Sequence, residues 1–236
     1  MKCEEVVKRL KSLANPKNVA GMARFGINSK GMLGISMYVL RKIAKELGRD
    51  HALALQLWDT GLHEARILAS IVDDPALATE KQIESWVRDF DSWAVCDQVC
   101  DNLISRTRFA YAKAFEWSKR EEEFVKRAGF TLMACLAVHD KQAGDATISE
   151  FFPVIEREST DARNYVKKAV NWALRNIGKR NLKLNKRAIA TAKQIQKIDS
   201  PAARWIASDA LRELTSDKMM ERLRKSTKHP KSAKAR

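Results

Sequence analysis

Phe124-Val125-Lys126-Arg127-Ala128 and Tyr165-Val166-Lys167-Lys168-Ala169 match in character at an offset of 41 residues. Trp172-Ala173-Leu174-Arg175 returns as Asp209-Ala210-Leu211-Arg212 after 37. Amphipathic helices also resemble one another by chance, but offsets of this size are close to the period of HEAT or armadillo helix pairs. Stacked pairs of that kind let many short helices share one core, and such arrays curve to give a concave binding surface.

Outward from these segments, nearly the whole chain has helical period. The pattern predicts helices over 3–13, 19–25, 53–58, 62–72, 108–117, 121–138, 147–155, 161–177, 186–195 and 201–214, with Ser36 capping one that reaches Leu47. A helix from Thr79 to Phe90 opens with a capping box, Thr79 with Gln82 three residues on. Asn15-Pro16 closes the first helix, glycines at 26, 31 and 34 punctuate a loop, and Ser200-Pro201 reads as cap plus first helical position. No stretch alternates as a strand would. The expected fold is all-α, a curved solenoid of HEAT-like antiparallel helix pairs with a concave basic groove. Residues 1–215 form a single repeat domain, and 216–236 a short helix and a mobile basic tail that lacks apolar period from Ser226.

Lys and Arg outnumber Asp and Glu by 44 to 29, a formal net charge of +15, so the natural partners are polyanions, nucleic acid first. Glu4 and Glu5 stand where a signal peptide needs an apolar core, and no apolar run is long enough to span a bilayer, so a cytoplasmic protein is expected. Cys3, Cys96, Cys100 and Cys135 are too few for a disulfide scaffold, and Cys96 and Cys100 lack the second pair a zinc site needs. No metal site, glycine-rich phosphate loop or HExxH motif is found, and no cofactor is expected.

In Phe90-Asp91-Ser92-Trp93-Ala94-Val95-Cys96-Asp97, Val95, Cys96, Val99 and Leu103 form one apolar stripe, while Trp93 and Asp97, four residues apart, share the opposite face. Such a pair can equally pack an indole on a neighbouring helix and pair the acid with a Lys or Arg. In the helix from 121, the stripe Val125, Gly129, Leu132 and Leu136 leaves Arg127 opposite. In the helix from 161, Val166, Val170, Ala173 and Ile177 are the stripe, and Lys168, Trp172, Arg175 and Lys179 form a basic second face with an indole set in it.

These segments, with Met22-Ala23-Arg24-Phe25, Leu33-Gly34-Ile35, Leu57-Trp58-Asp59 and Lys126-Arg127-Ala128, resemble the AlkD-like DNA alkylation repair glycosylases over most of residues 17 to 215. The resemblance implies a solenoid that clasps duplex DNA in a basic groove. It implies Asp97, Trp93, Trp172 and Arg127 as the catalytic group, with DNA contacts from Arg24, Phe25, Tyr165, Lys126, Lys168, Arg175 and Lys179. Phe25 stands where a relative has tyrosine, and Asn164-Tyr165 where it has adjacent phenylalanines.

The chemistry suits these side chains. A purine alkylated at N3 or N7 leaves as a neutral base, so what needs stabilising is the sugar cation. A carboxylate such as Asp97 favours that charge and can orient water, and indole faces attract it. The family is thought to act without enclosing a flipped base. The expected partner is duplex DNA containing alkylated purines, bound by a monomer with no obligate protein partner and no membrane. The alternative is a non-catalytic helical-repeat binder of DNA or of an acidic protein.

Overall fold

The computed structural model describes residues 1–28 and 30–228. Fifteen α-helices run through them: α1 (Cys3–Ser12), α2 (Pro16–Ala23), α3 (Met37–Leu47), α4 (His51–Asp59), α5 (His63–Val72), α6 (Glu80–Arg88), α7 (Trp93–Asn102), α8 (Ala110–Trp117), α9 (Glu123–His139), α10 (Asp145–Ser149), α11 (Phe151–Arg157), α12 (Asn164–Gly178), α13 (Leu182–Ile195), α14 (Pro201–Leu214) and α15 (Asp217–Lys228). Among the described residues there is no strand. No described helix is long and apolar enough to cross a membrane.

Local chemistry sets the helix starts. The side chains of Ser36, Asp50, Ser92, Asn181 and Ser200 each accept a backbone N–H three residues on, satisfying a donor that the first turn leaves orphaned. Thr79 and Gln82 make both bonds of the capping box. The single helix expected over 147–155 is instead two, α10 and α11. Pro153 has no N–H to offer the carbonyl of Ser149, and its ring crowds that carbonyl, so the helix breaks there. At the carboxyl end, α15 carries helical backbone through Lys228, past Ser226 where the apolar period stops. The rest of the expected basic tail, from residue 229, lies outside the described residues.

The chain divides into two compact units, Met1–Ala110 and Tyr111–Arg236. In the first, α5 packs against α3, α4 and α7, and its buried residues include Ala65, Ile67, Leu68, Ala69 and Val72. Trp58 and Trp86 stack at 4.0 Å, with the Arg66 guanidinium 5.1 Å from the Trp58 ring. In the second, α9 and α12 form the core, with α13 and α14 against α12. Gly129 lets α9 approach the turn after α8: a Cβ there would lie 2.5 Å from the Ser118 nitrogen.

The repeat spacing seen in the sequence is the spacing of contacts within each unit. Phe124 and Tyr165, 41 positions apart, bring their rings to 5.4 Å. Arg180 reaches back 43 residues to the carbonyl of Ala137 at 2.9 Å, and Asn171 reaches forward 38 to Asp209 at 2.7 Å. In the first unit, Arg9 meets Glu46 at 2.6 Å across 37 residues, and Trp58 meets Asp89 at 2.9 Å across 31. Bonds of this span link helices one repeat apart, as in stacked helix pairs, alongside the packing of neighbours such as α4 on α5 and α13 on α14.

Candidate functional site

In the first unit the site is built on α7. Its stripe is buried as the period predicts: Val95, Cys96, Val99 and Leu103 are all 1 % exposed or less. Trp93 and Asp97 stand on the other side, both half-exposed. The Trp93 indole N–H donates to the carbonyl of Phe25 at 3.0 Å, which fixes the ring against the end of α2. The Phe25 ring is 75 % exposed, and Arg24 beside it is also exposed.

The loop after Phe25 is held by a buried carboxylate that the sequence pattern does not reveal. Glu64, 1 % exposed on α5, accepts the backbone N–H groups of Leu33 at 2.8 Å, Gly34 at 2.6 Å and Ile35 at 3.2 Å. Gly34 has φ +75°, and a Cβ there would meet the Asn15 carbonyl oxygen at 2.4 Å, so glycine is required on two counts. Asn28 adds a bond to Asp91 at 2.9 Å, just before α7. His63, next to Glu64, is driven below its usual pKa by burial, against the pull of Glu64 and Asp91. Its ring is thereby held toward the neutral form.

In the second unit Arg127 is not on an open face. Every residue of α9 from Val125 to Ala137 is buried, because helices crowd it on more than one side, and Arg127 is 6 % exposed with Nη1 donating to the Tyr165 carbonyl at 2.6 Å. Lys126, expected at a DNA surface, is also 6 % exposed and is paired with Glu158 at 3.0 Å and Asp161 at 3.6 Å. Burial works against the Asp161 charge, but the Arg163 guanidinium and N–H, helped by Lys126, hold its carboxyl below the usual range.

The stripe on α12 is buried as expected, with Val166, Val170, Ala173 and Ile177 at 0 %. Trp172 and Tyr165 are half-exposed and Lys168 is exposed. The basic face around Trp172 is partly neutralised: Arg175 pairs with Asp209 at 3.0 Å and Lys179 with Glu213 at 3.2 Å, both acids on α14. Arg175 and Lys179 thus brace α12 against α14 and are not an unpartnered cationic stripe. Among the described residues, no group of three or more His, Cys, Asp or Glu is placed to hold a metal ion.

Comparisons with known proteins bear on this arrangement. Residues 6–214 match a family model described as DNA alkylation repair enzyme. The chain is 22% identical over 193 residues to the uncharacterized protein Lin0241 of Listeria innocua serovar 6a, covering 80% of this chain and 84% of that protein. Among solved structures it aligns, at TM-score 0.75 and 20% identity over 90% of this chain and 95% of the other, with one described as a new family of proteins related to the HEAT-like repeat DNA glycosylases with affinity for branched DNA structures. At that identity the likeness shows a HEAT-like repeat fold. A designed armadillo repeat protein in complex with the peptide (KR)4 aligns at TM-score 0.39 and 16% identity over 81% of each chain, too loosely to bear on function.

Proposed function

This chain belongs to the DNA alkylation repair enzyme family, and from that membership we propose that it is a monofunctional DNA glycosylase excising cationic N3- and N7-alkylated purines from duplex DNA. The observation that supports this most is the pair on α7: Asp97 one turn from Trp93 on the half-exposed side, with the indole held in place by the Phe25 carbonyl. A carboxylate beside a fixed aromatic face suits a developing sugar cation, and the alkylated base leaves neutral without a proton from an acid. Asp97 stabilises that cation and orients water. Trp93 offers its ring face. For Trp172 and Arg127, the family likeness suggests a second indole toward the sugar and support of the backbone beside Tyr165. Base release from methylated duplex DNA, followed as 7-methylguanine and 3-methyladenine, tests the proposal. Turnover by the unaltered chain and its loss in Asp97→Asn, with DNA affinity kept, is the expected result.

The competing function is DNA binding without chemistry. It is favoured by the solved structure whose description names affinity for branched DNA structures. A binder predicts that Asp97→Asn leaves binding unchanged or tighter and that neither form releases a base. An acid facing phosphates only weakens simple binding, so the half-exposed Asp97 weighs against this alternative.

A further inference from the structure

On the exposed side of α3, Tyr38, Arg41 and Lys45 follow at positions i, i+3 and i+7, opposite the buried Leu40, Ile43 and Ala44. Tyr38 is 80 % exposed, so its ring face is available to a ligand. Arg41 and Lys45 line one side of a shallow, open cleft of about 460 Å³, which Arg49, Asp101, Asn102 and Arg106 also border. Four cationic side chains therefore face one carboxylate. Arg49 is occupied with the end of α5, donating to the carbonyls of Ile71 at 3.1 Å and of Asp73. Arg41, Lys45 and Arg106 form no ion pair among the described residues. In this they differ from Lys126, Arg175 and Lys179, each of which meets an acid. The carboxyl ends of α3, α5 and α7 offset part of this charge, and an anion entering the cleft relieves the repulsion that remains among Arg41, Lys45 and Arg106.

We infer that this cleft is a subsite for a DNA backbone phosphate, with the Tyr38 ring against the adjoining nucleotide. The inference rests on the proposed function and adds a strand-gripping subsite to it. Asp101, which lines the cleft, follows Asp97 by four residues on α7, a rise of about 6 Å. The cleft is therefore within a few nucleotides' reach of Asp97. Guanidinium groups suit this task, since their fork matches phosphate oxygens.

The test uses full-length protein and duplexes carrying a stable abasic analogue at a fixed position, with binding followed by fluorescence anisotropy across a salt series. Arg41→Ala and Arg106→Ala should each lower the slope of log affinity against log salt by about 0.9 for each phosphate that is no longer neutralised. Tyr38→Ala should weaken binding with the slope unchanged. Neutral methylphosphonates placed singly at one to four nucleotides from the analogue should reveal one position that weakens the unaltered protein several-fold and costs Arg106→Ala nothing further. All three sites are on the surface, and circular dichroism melts check that each variant is folded. Unchanged slopes in folded Arg41→Ala and Arg106→Ala overturn the inference, as does a scan with no position that Arg106→Ala silences. Failure of the proposed function looks different: no base is released, while the slopes and the scan behave as expected.

Discussion

The Trp93 indole N–H donates to the main-chain carbonyl of Phe25 at 3.0 Å, joining residues 68 positions apart. The bond uses the backbone of Phe25 and leaves its ring 75 % exposed. One residue thus orients the indole through its carbonyl and presents a separate aromatic surface through its side chain.

Phe25→Ala should therefore keep the indole in place and the fold intact, with stability within about 0.5 kcal/mol of the unaltered chain, as for other surface changes. Excision and duplex affinity should both fall. Denaturant midpoints beside base release check the split, and Trp93→Phe, which removes the donor, should cost about 1 kcal/mol.

Asp97→Asn should reduce release of 7-methylguanine by roughly 100-fold or more, the scale at which one electrostatic group at a transition state is felt. Affinity for an abasic-analogue duplex should be retained. Single-turnover kinetics alongside anisotropy measure the two separately.

Glu64→Ala leaves three backbone N–H groups of the loop without an acceptor, two of them in buried bonds. At about 1–3 kcal/mol for each stranded donor, a loss of about 3 kcal/mol or more is expected. Urea unfolding should show it, and proteolysis should cut the variant first between residues 26 and 35.

Gly129→Ala decides between two opposed effects. Alanine gains up to about 1 kcal/mol of helix propensity over glycine, but the new Cβ would lie 2.5 Å from the Ser118 nitrogen and 3.0 Å from its Cα. Backbone cannot swing aside as a side chain can, and overpacking costs about 1–3 kcal/mol. The variant should melt lower, by about 2–4 °C for each kcal/mol lost.

Acid should weaken the second unit in part through Asp140. Burial works against its charge, but the Tyr111 hydroxyl at 2.8 Å, the N–H groups of Ala143 and Gln142, and Arg180 outweigh it and hold the carboxyl below its usual value. A group with a depressed folded pKa stabilises fully above the unfolded value near about 3.9 and loses that contribution as pH falls through the folded one. Asp140→Asn should flatten the acid limb of stability against pH below about 4, with little change in slope from pH 5 to 8.

The helical period and the residue offsets of 41 and 37 carried the all-α repeat fold, because both are local or nearly local in the chain. The exposed side of α7 was legible for the same reason: Val95, Cys96 and Val99 are buried and Trp93 and Asp97 are not fully so. The reading of Arg127 failed where a wheel assumes one buried side, since α9 is packed on several. Lys126, Arg175 and Lys179 looked available for DNA because their partners, Glu158, Asp209 and Glu213, lie 32 to 34 residues away. Glu64 escaped notice as an ordinary helical acid, although a loop with glycines at 31 and 34 has backbone N–H groups that need an acceptor. Tyr38, Arg41 and Lys45 did carry a signal, an aromatic in step with two bases on one side of a helix.

Most of the bonds between stacked helices span about one repeat, but the two that tie the site loop to α7 do not. Trp93 to Phe25 and Asn28 to Asp91 bridge 68 and 63 residues. Closing a longer loop costs more chain entropy, though the cost rises only slowly with length. These two clasps span most of the length of the first unit, so the position of the indole depends on all the helices between them keeping their places. A slip anywhere in that stack would therefore be felt at the Trp93 ring.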